Sequence, residues 1–219
     1  MVNYERPVQA PLSLQSKTNY RKADVIASLR QMFHDKCYLC ETKSPSTINV
    51  EHFKPSTRYS EKEFEWTNLF FACGHCNGTK LAKPQFDDIL DCTDSNTPVD
   101  KWIKYEMKPF PKEKIIFTAM EQSQIVANTI ELLDAIYNGV TPIRSAESEY
   151  ICNKLLWEIV HFQEALLKYD LETEPPHKRT EHKQFIETNL KRSAPFSAFK
   201  RWIVLSNHFL SQEFSQHID

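Results

Sequence analysis

The residues with the most chemistry to offer lie between Cys37 and Lys80. The stretch opens with Cys37-Tyr38-Leu39-Cys40 and closes with Cys73-Gly74-His75-Cys76-Asn77-Gly78-Thr79-Lys80. Between them stand Glu51-His52 and the run Trp66-Thr67-Asn68-Leu69. A Cys-x-x-Cys turn points two sulfurs at one ion, and two such turns complete a thiolate set of the kind Zn²⁺ favours. A closed four-sulfur site leaves no position for water, so zinc on Cys37, Cys40, Cys73 and Cys76 is expected to be structural. Unrelated core cysteines or redox pairs are the alternative reading of the same residues. His75, inside the second turn, can replace a cysteine as ligand or touch a nucleic acid, but is read as a solvent-facing loop residue.

Glu51-His52 is a weaker signal in isolation. Neighbouring side chains of a strand point to opposite faces, so a strand end or irregularity is needed to aim both at one cleft. The pair gains meaning from its place between two metal turns, with Asn68 and Asn77 arriving from the far side.

These residues need elements to hold them. Val25, Ile26, Leu29, Met32 and Phe33 repeat at helical spacing, and Asn19 is the expected cap of a helix that delivers the chain to Cys37. Residues 1 to about 18 carry Pro7 and Pro11 without periodicity and read as an extended arm. Thr47 to Phe53 has the β-branched content of a strand. Asn77 to Leu81 suits the start of a helix, which gives a β-β-α arrangement around a zinc knuckle. From Gln85 to Lys114 the pattern is hardest to read, with Trp102, Ile103 and Tyr105 as a short strand. Helices are expected from about Gln122 to a stop at Asn138-Gly139, and from Thr141-Pro142 to Glu174-Pro175-Pro176. Two more follow, about Lys178–Leu190 and Pro195–Leu210. The last is expected to be capped by Ser193 and to bury Phe196, Phe199, Trp202, Ile203 and Phe209.

The chain has 219 residues, with 27 Lys and Arg against 29 Asp and Glu, and three glycines. Scarce glycine leans helical. A near-zero net charge argues against a protein that coats DNA freely, and for a local phosphate-binding surface or one supplied in part by a partner. No apolar run is long enough to span a bilayer, and the N-terminal residues lack a signal peptide's apolar core. A cytoplasmic location with reduced thiols is expected, where paired Cys-x-x-Cys motifs favour metal over disulfide. Cys92 and Cys152 read as small buried hydrophobes.

The order Cys-x-x-Cys, Glu-His, Asn, Cys-x-x-Cys-Asn-x-x-Lys resembles the HNH endonuclease motif, the ββα-metal nuclease fold with an added zinc knuckle. Glu51-His52-Phe53-Lys54-Pro55, Trp66-Thr67-Asn68-Leu69 and the late Ser193-Ala194-Pro195-Phe196-Ser197-Ala198-Phe199-Lys200-Arg201 are similar to the PtuB family of Septu anti-phage systems. The resemblance implies a metal-dependent endonuclease that hydrolyses DNA, working with a PtuA-like ATPase subunit. In that scheme His52 is the general base. Glu51 and Asn77 are ligands of a catalytic Mg²⁺ or Mn²⁺, and Asn68 braces the loop and orients His52. Lys80, and more weakly Lys54 and Lys83, steady a phosphate. Asn77 stands where many members have histidine, and Glu51 where many have aspartate. Lys191-Arg192 and Lys200-Arg201 are expected to contact phosphates or an acidic partner. A zinc-knuckle module that binds nucleic acid or protein without turnover is the alternative.

The fold class expected is α+β, mostly helical, with a zinc-stapled ββα-metal HNH core packed on a helical scaffold. The division expected is an N-terminal arm and helix at 1–36, the nuclease core at 37–85, and a helical scaffold and partner-docking region at 86–219.

Overall fold

A computed structural model of the chain describes residues 1–108, 113–139, 142–171 and 173–219. It is α+β and mostly helical, as expected. Helix α1 (Ala23–Met32) leads into the first Cys-x-x-Cys turn. Strands β1 (Ile48–His52) and β2 (Leu69–Cys73) pair antiparallel, with Glu51 opposite Phe70 and His52 opposite Leu69. Helix α2 (Gly74–Leu81) follows β2 without a break. After it come the short α3 (Val99–Trp102) and a second antiparallel pair, β3 (Ile103–Glu106) and β4 (Ile116–Ala119). The rest is helical: α4 (Gln124–Tyr137), α5 (Pro142–Asp170), α6 (Pro176–Asn189), α7 (Ser197–Leu205) and α8 (His208–Phe214).

Most of the core is continuous. Val25 and Leu29 of α1, Phe70 of β2, Leu132 of α4, Leu155 of α5 and Phe199 of α7 belong to one buried cluster. A smaller cluster around Phe162, Ile186, Val204 and Phe214 joins the far ends of the last helices. The apolar stripe of α5 therefore serves both clusters. That division explains why the hairpin and the helices share one interior.

Several local expectations are corrected. Asn19 does not cap α1; its side chain accepts a hydrogen bond from the Arg21 amide, and Lys22 takes the cap position. The N-terminal stretch, expected as an extended arm to about residue 18, is extended only up to Pro11, forms a 3-10 helix at Leu12–Ser16, and is anchored. Val2 and Tyr4 are buried, and the Tyr4 amide donates to the Cys92 carbonyl at 2.8 Å. α2 begins at Gly74, three residues before the expected start, because the Cys73 sulfur accepts from the Cys76 amide and caps it. Trp102 closes α3 and does not begin the strand. Thr141, the expected start of α5, lies outside the described residues. The last predicted helix is two. The chain turns extended at Asn207, whose side chain accepts from the Leu210 amide and starts α8. Phe209 is consequently exposed, and Ser193 caps nothing; α7 starts at Ser197 behind Phe196.

Candidate functional site

Cys37 and Cys40 sit in the turn after α1. The Glu41 amide closes that turn on the Cys37 carbonyl at 2.9 Å, and the Tyr38 amide ties it to the Phe71 carbonyl of β2 at 3.0 Å. Cys73 ends β2 and Cys76 lies in the first turn of α2. Their four ligand atoms lie within 4.8 Å of one another, and all four residues are buried. Cys40 Sγ and Cys73 Sγ are 3.9 Å apart. Sulfurs of a Zn²⁺ tetrahedron with bonds of about 2.3 Å stand about 3.8 Å apart. Burial opposes ionisation of Cys40, yet hydrogen bonds from the neighbouring thiols and Thr42 draw its pKa well below the usual thiol value. Burial pushes Cys76 well above it. The burial and mutual spacing of the four sulfurs fit a zinc ion.

Glu51 and His52 leave β1 on opposite sides, as the strand period requires. Glu51 faces inward. Its Oε1 accepts from the Tyr38 hydroxyl at 3.0 Å and meets Lys80 Nζ at 3.0 Å, while Oε2 is buried without a partner. Burial raises the Glu51 pKa against the opposing pull of Lys80. The unpartnered oxygen is what a hard divalent ion requires of a carboxylate ligand, and the other oxygen is held by an ammonium group.

His52 points the other way. Its Nε2 lies 2.9 Å from the Glu63 carbonyl, and the Tyr20 ring packs edge-on with centroids 4.5 Å apart. A carbonyl only accepts, so Nε2 carries the hydrogen and Nδ1 keeps the lone pair. Burial lowers the pKa of His52 against the opposing pull of the Glu63 carbonyl and carboxylate, with the positive charges of Arg21 and Lys80 acting in the same direction as burial. The imidazole is therefore neutral at neutral pH, the state a base needs.

Asn68 links the two ends of the loop that carries Glu63. Its Oδ1 accepts from the Lys54 amide at 2.7 Å, and its Nδ2 donates to the carbonyls of Lys54 at 3.0 Å and Lys62 at 3.1 Å. Asn77 is half-buried on α2, one turn before Lys80, and makes no side-chain hydrogen bond among the described residues.

His75 is corrected, and the structure gives Lys80, Lys54 and Lys83 each a partner. Lys80 is fully buried and donates to the Phe53 carbonyl at 2.7 Å, so it faces the interior and no nucleic acid. Lys54 is committed to the Asp87 carbonyl and the Asp88 carboxylate, and Lys83 to Glu131. Lys200 binds Glu158, and Arg201 binds Asp100 and Asp219 inside the fold. Arg192 reaches Glu5. His75 is buried, with Nδ1 2.7 Å from Glu147 and Nε2 2.9 Å from the Ile136 carbonyl. It is not a solvent-facing loop residue, and both ring nitrogens are engaged away from the thiols; it fastens α2 to α4 and α5. The burial of Lys80 had a readable signal, since it lies one turn beyond Cys76 on the same helix face. Tyr20 and the Glu63 carbonyl had none, because their contacts with His52 form only in the fold.

No family model matches the chain. It is similar to the Septu protein PtuB of Bacillus thuringiensis, 28% identical over 83 residues. The match covers 36% of this chain and 32% of that protein, so the chain spans about a third of the relative's length. No described helix is long and apolar enough to cross a membrane.

Proposed function

We propose that the chain is a metal-dependent HNH-type endonuclease acting on DNA, the effector of a Septu-like anti-phage system that works beside an ATPase. The observation that carries this reading is the neutral His52, fixed by Nε2 on a backbone carbonyl with Nδ1 left basic, at the end of a hairpin stapled by four cysteines. The similarity to PtuB supports the anti-phage setting.

His52 takes the proton of the attacking water at Nδ1, a role that suits an imidazole at neutral pH. Asn68 holds the carbonyls of Lys54 and Lys62 in place, which sets the position of the next carbonyl, Glu63, and hence the His52 ring. Glu51 and Asn77, the ligands the resemblance implies, would hold a hard divalent ion only with the Glu51 carboxylate turned from its inward position to the His52 side of β1. Such an ion supplies charge stabilisation at the phosphoryl group and the leaving oxygen. Lys80 and Tyr38 hold the Glu51 carboxylate in its inward position. Residues 37–85 form the catalytic unit of this proposal, and 86–219 its scaffold and partner-docking region, in a cytoplasmic protein.

One observation favours a second reading, a zinc-knuckle binding module without turnover: the Lys80 ammonium already neutralises Glu51. Plasmid incubated with the purified chain, alone and with the ATPase, in Mg²⁺, Mn²⁺ or chelator separates the two. The nuclease reading expects nicking or linearisation in Mg²⁺ or Mn²⁺ that chelator abolishes. Binding with no product under any of these conditions supports the module.

A further inference from the structure

We infer that Arg21, backed by the Tyr20 ring, is the cation that receives the DNA phosphate beside His52. The inference rests on the nuclease reading of His52 and adds a substrate contact to it. A phosphate attacked by a water on His52 must lie within a few ångströms of the imidazole, and Tyr20 forms one wall of that ring, with Phe64 behind it at 6.2 Å. The Arg21 guanidinium lies 5.1 Å from the centroid of the Tyr20 ring, and its Nη2 donates to the Tyr20 hydroxyl at 3.1 Å.

The lysines of the motif are engaged elsewhere, Lys80 with Glu51 and Lys54 with Asp88. Arg58 is likewise paired with Asp87. Arg21 is exposed and forms no ion pair among the described residues. Asp24, the acid next along the chain, is occupied by the Ser13 amide and hydroxyl. Lys62, on the other side of His52, is flanked in sequence by Glu61, Glu63 and Glu65, which offset its charge. A guanidinium presents a planar fork that matches two phosphate oxygens, and stacking on an aromatic ring pre-orients it. With Nη2 bound to the tyrosine, its remaining hydrogens are free to meet the phosphate. Tyr20 and Phe64 add aromatic faces on which a sugar or an unstacked base can rest.

The test is duplex binding by fluorescence anisotropy in Ca²⁺ across a salt series, with plasmid cutting in Mg²⁺ measured alongside. The proteins are the full-length wild type, Arg21→Ala, Tyr20→Phe and Lys168→Ala, a control on the ion pair with Glu164. Arg21→Ala should bind DNA of any sequence about tenfold more weakly and flatten the salt slope by about one, the signature of one lost phosphate contact. Tyr20→Phe keeps the ring on His52 and should show a smaller loss in the same direction. Lys168→Ala should match wild type. If wild type binds and cuts while Arg21→Ala keeps its affinity and slope, the Arg21 assignment is overturned and the His52 chemistry stands. If wild type neither binds nor cuts, alone or with the ATPase added, both are overturned. Unchanged zinc content and circular dichroism show that the variants are folded.

Discussion

Lys80 reaches Glu51 from inside the fold, and that contact decides how the carboxylate is used. Both side chains are almost wholly shielded from solvent, at 0% and 2% exposure. A buried pair of this kind contributes little net stability against an apolar replacement, but removing one partner strands the other charge. Lys80→Met keeps the apolar stem and deletes the ammonium. It should cost about 3–5 kcal/mol, read as a lower urea midpoint at constant slope. The double variant Lys80→Met, Glu51→Gln should recover much of that loss, because no carboxylate is then left unpaired. A single variant as stable as wild type would show that the pair does not form. The residue types were legible here and their directions were not. Cys-x-x-Cys-Asn-x-x-Lys names a lysine, but only the packing of α2 on β1 turns it inward, away from the nucleic acid that its charge suggests.

At the scale of elements, α2 is the joint between the cysteine-bearing hairpin and the helices. Gly74 opens it. A Cβ there would meet Thr47 Oγ1 at 2.9 Å, so the close approach of the residue leading into β1 to the helix start disfavours a side chain. His75 then bridges to the Ile136 carbonyl of α4 and to Glu147 of α5. His75→Ala removes the bonds to Glu147 and to the Ile136 carbonyl, which keeps the Ser148 hydroxyl as donor, and should lower stability by about 1 kcal/mol while zinc remains bound at wild-type stoichiometry. A drop in zinc content would instead make His75 a ligand. The helices with a strong apolar period, α1 and α4, were readable within a few residues of their ends. The break at Asn207 was not, because Phe209 continues the period across it; the cap asparagine was the signal that periodicity overrode. β4 gave no signal, as its Ile116–Ala119 pattern is too short to read without β3 beside it.

At the scale of the whole molecule, the near-zero net charge conceals where the cations go. Lys36 pairs with Glu41, Lys200 with Glu158, and Arg201 with Asp100 and Asp219, all within the fold. The dibasic Lys200-Arg201 therefore braces α7, and the DNA contact proposed for Arg21 is local. The thiol cluster was the most legible part of the site, since two Cys-x-x-Cys turns specify it without knowledge of the fold. The setting of His52 was the least legible, because its carbonyl partner and its aromatic wall come from segments 11 residues ahead and some thirty behind in sequence. In the proposed mechanism His52 performs the chemistry while the zinc-stapled hairpin only positions it. The most direct measurement is plasmid cleavage in Mg²⁺ by wild type and His52→Ala side by side, under the conditions in which wild type cuts, with zinc content determined on the same samples. Loss of a positioned base should slow cutting at least about a hundredfold, with zinc and helix content unchanged. Equal cutting by the two proteins would contradict the account.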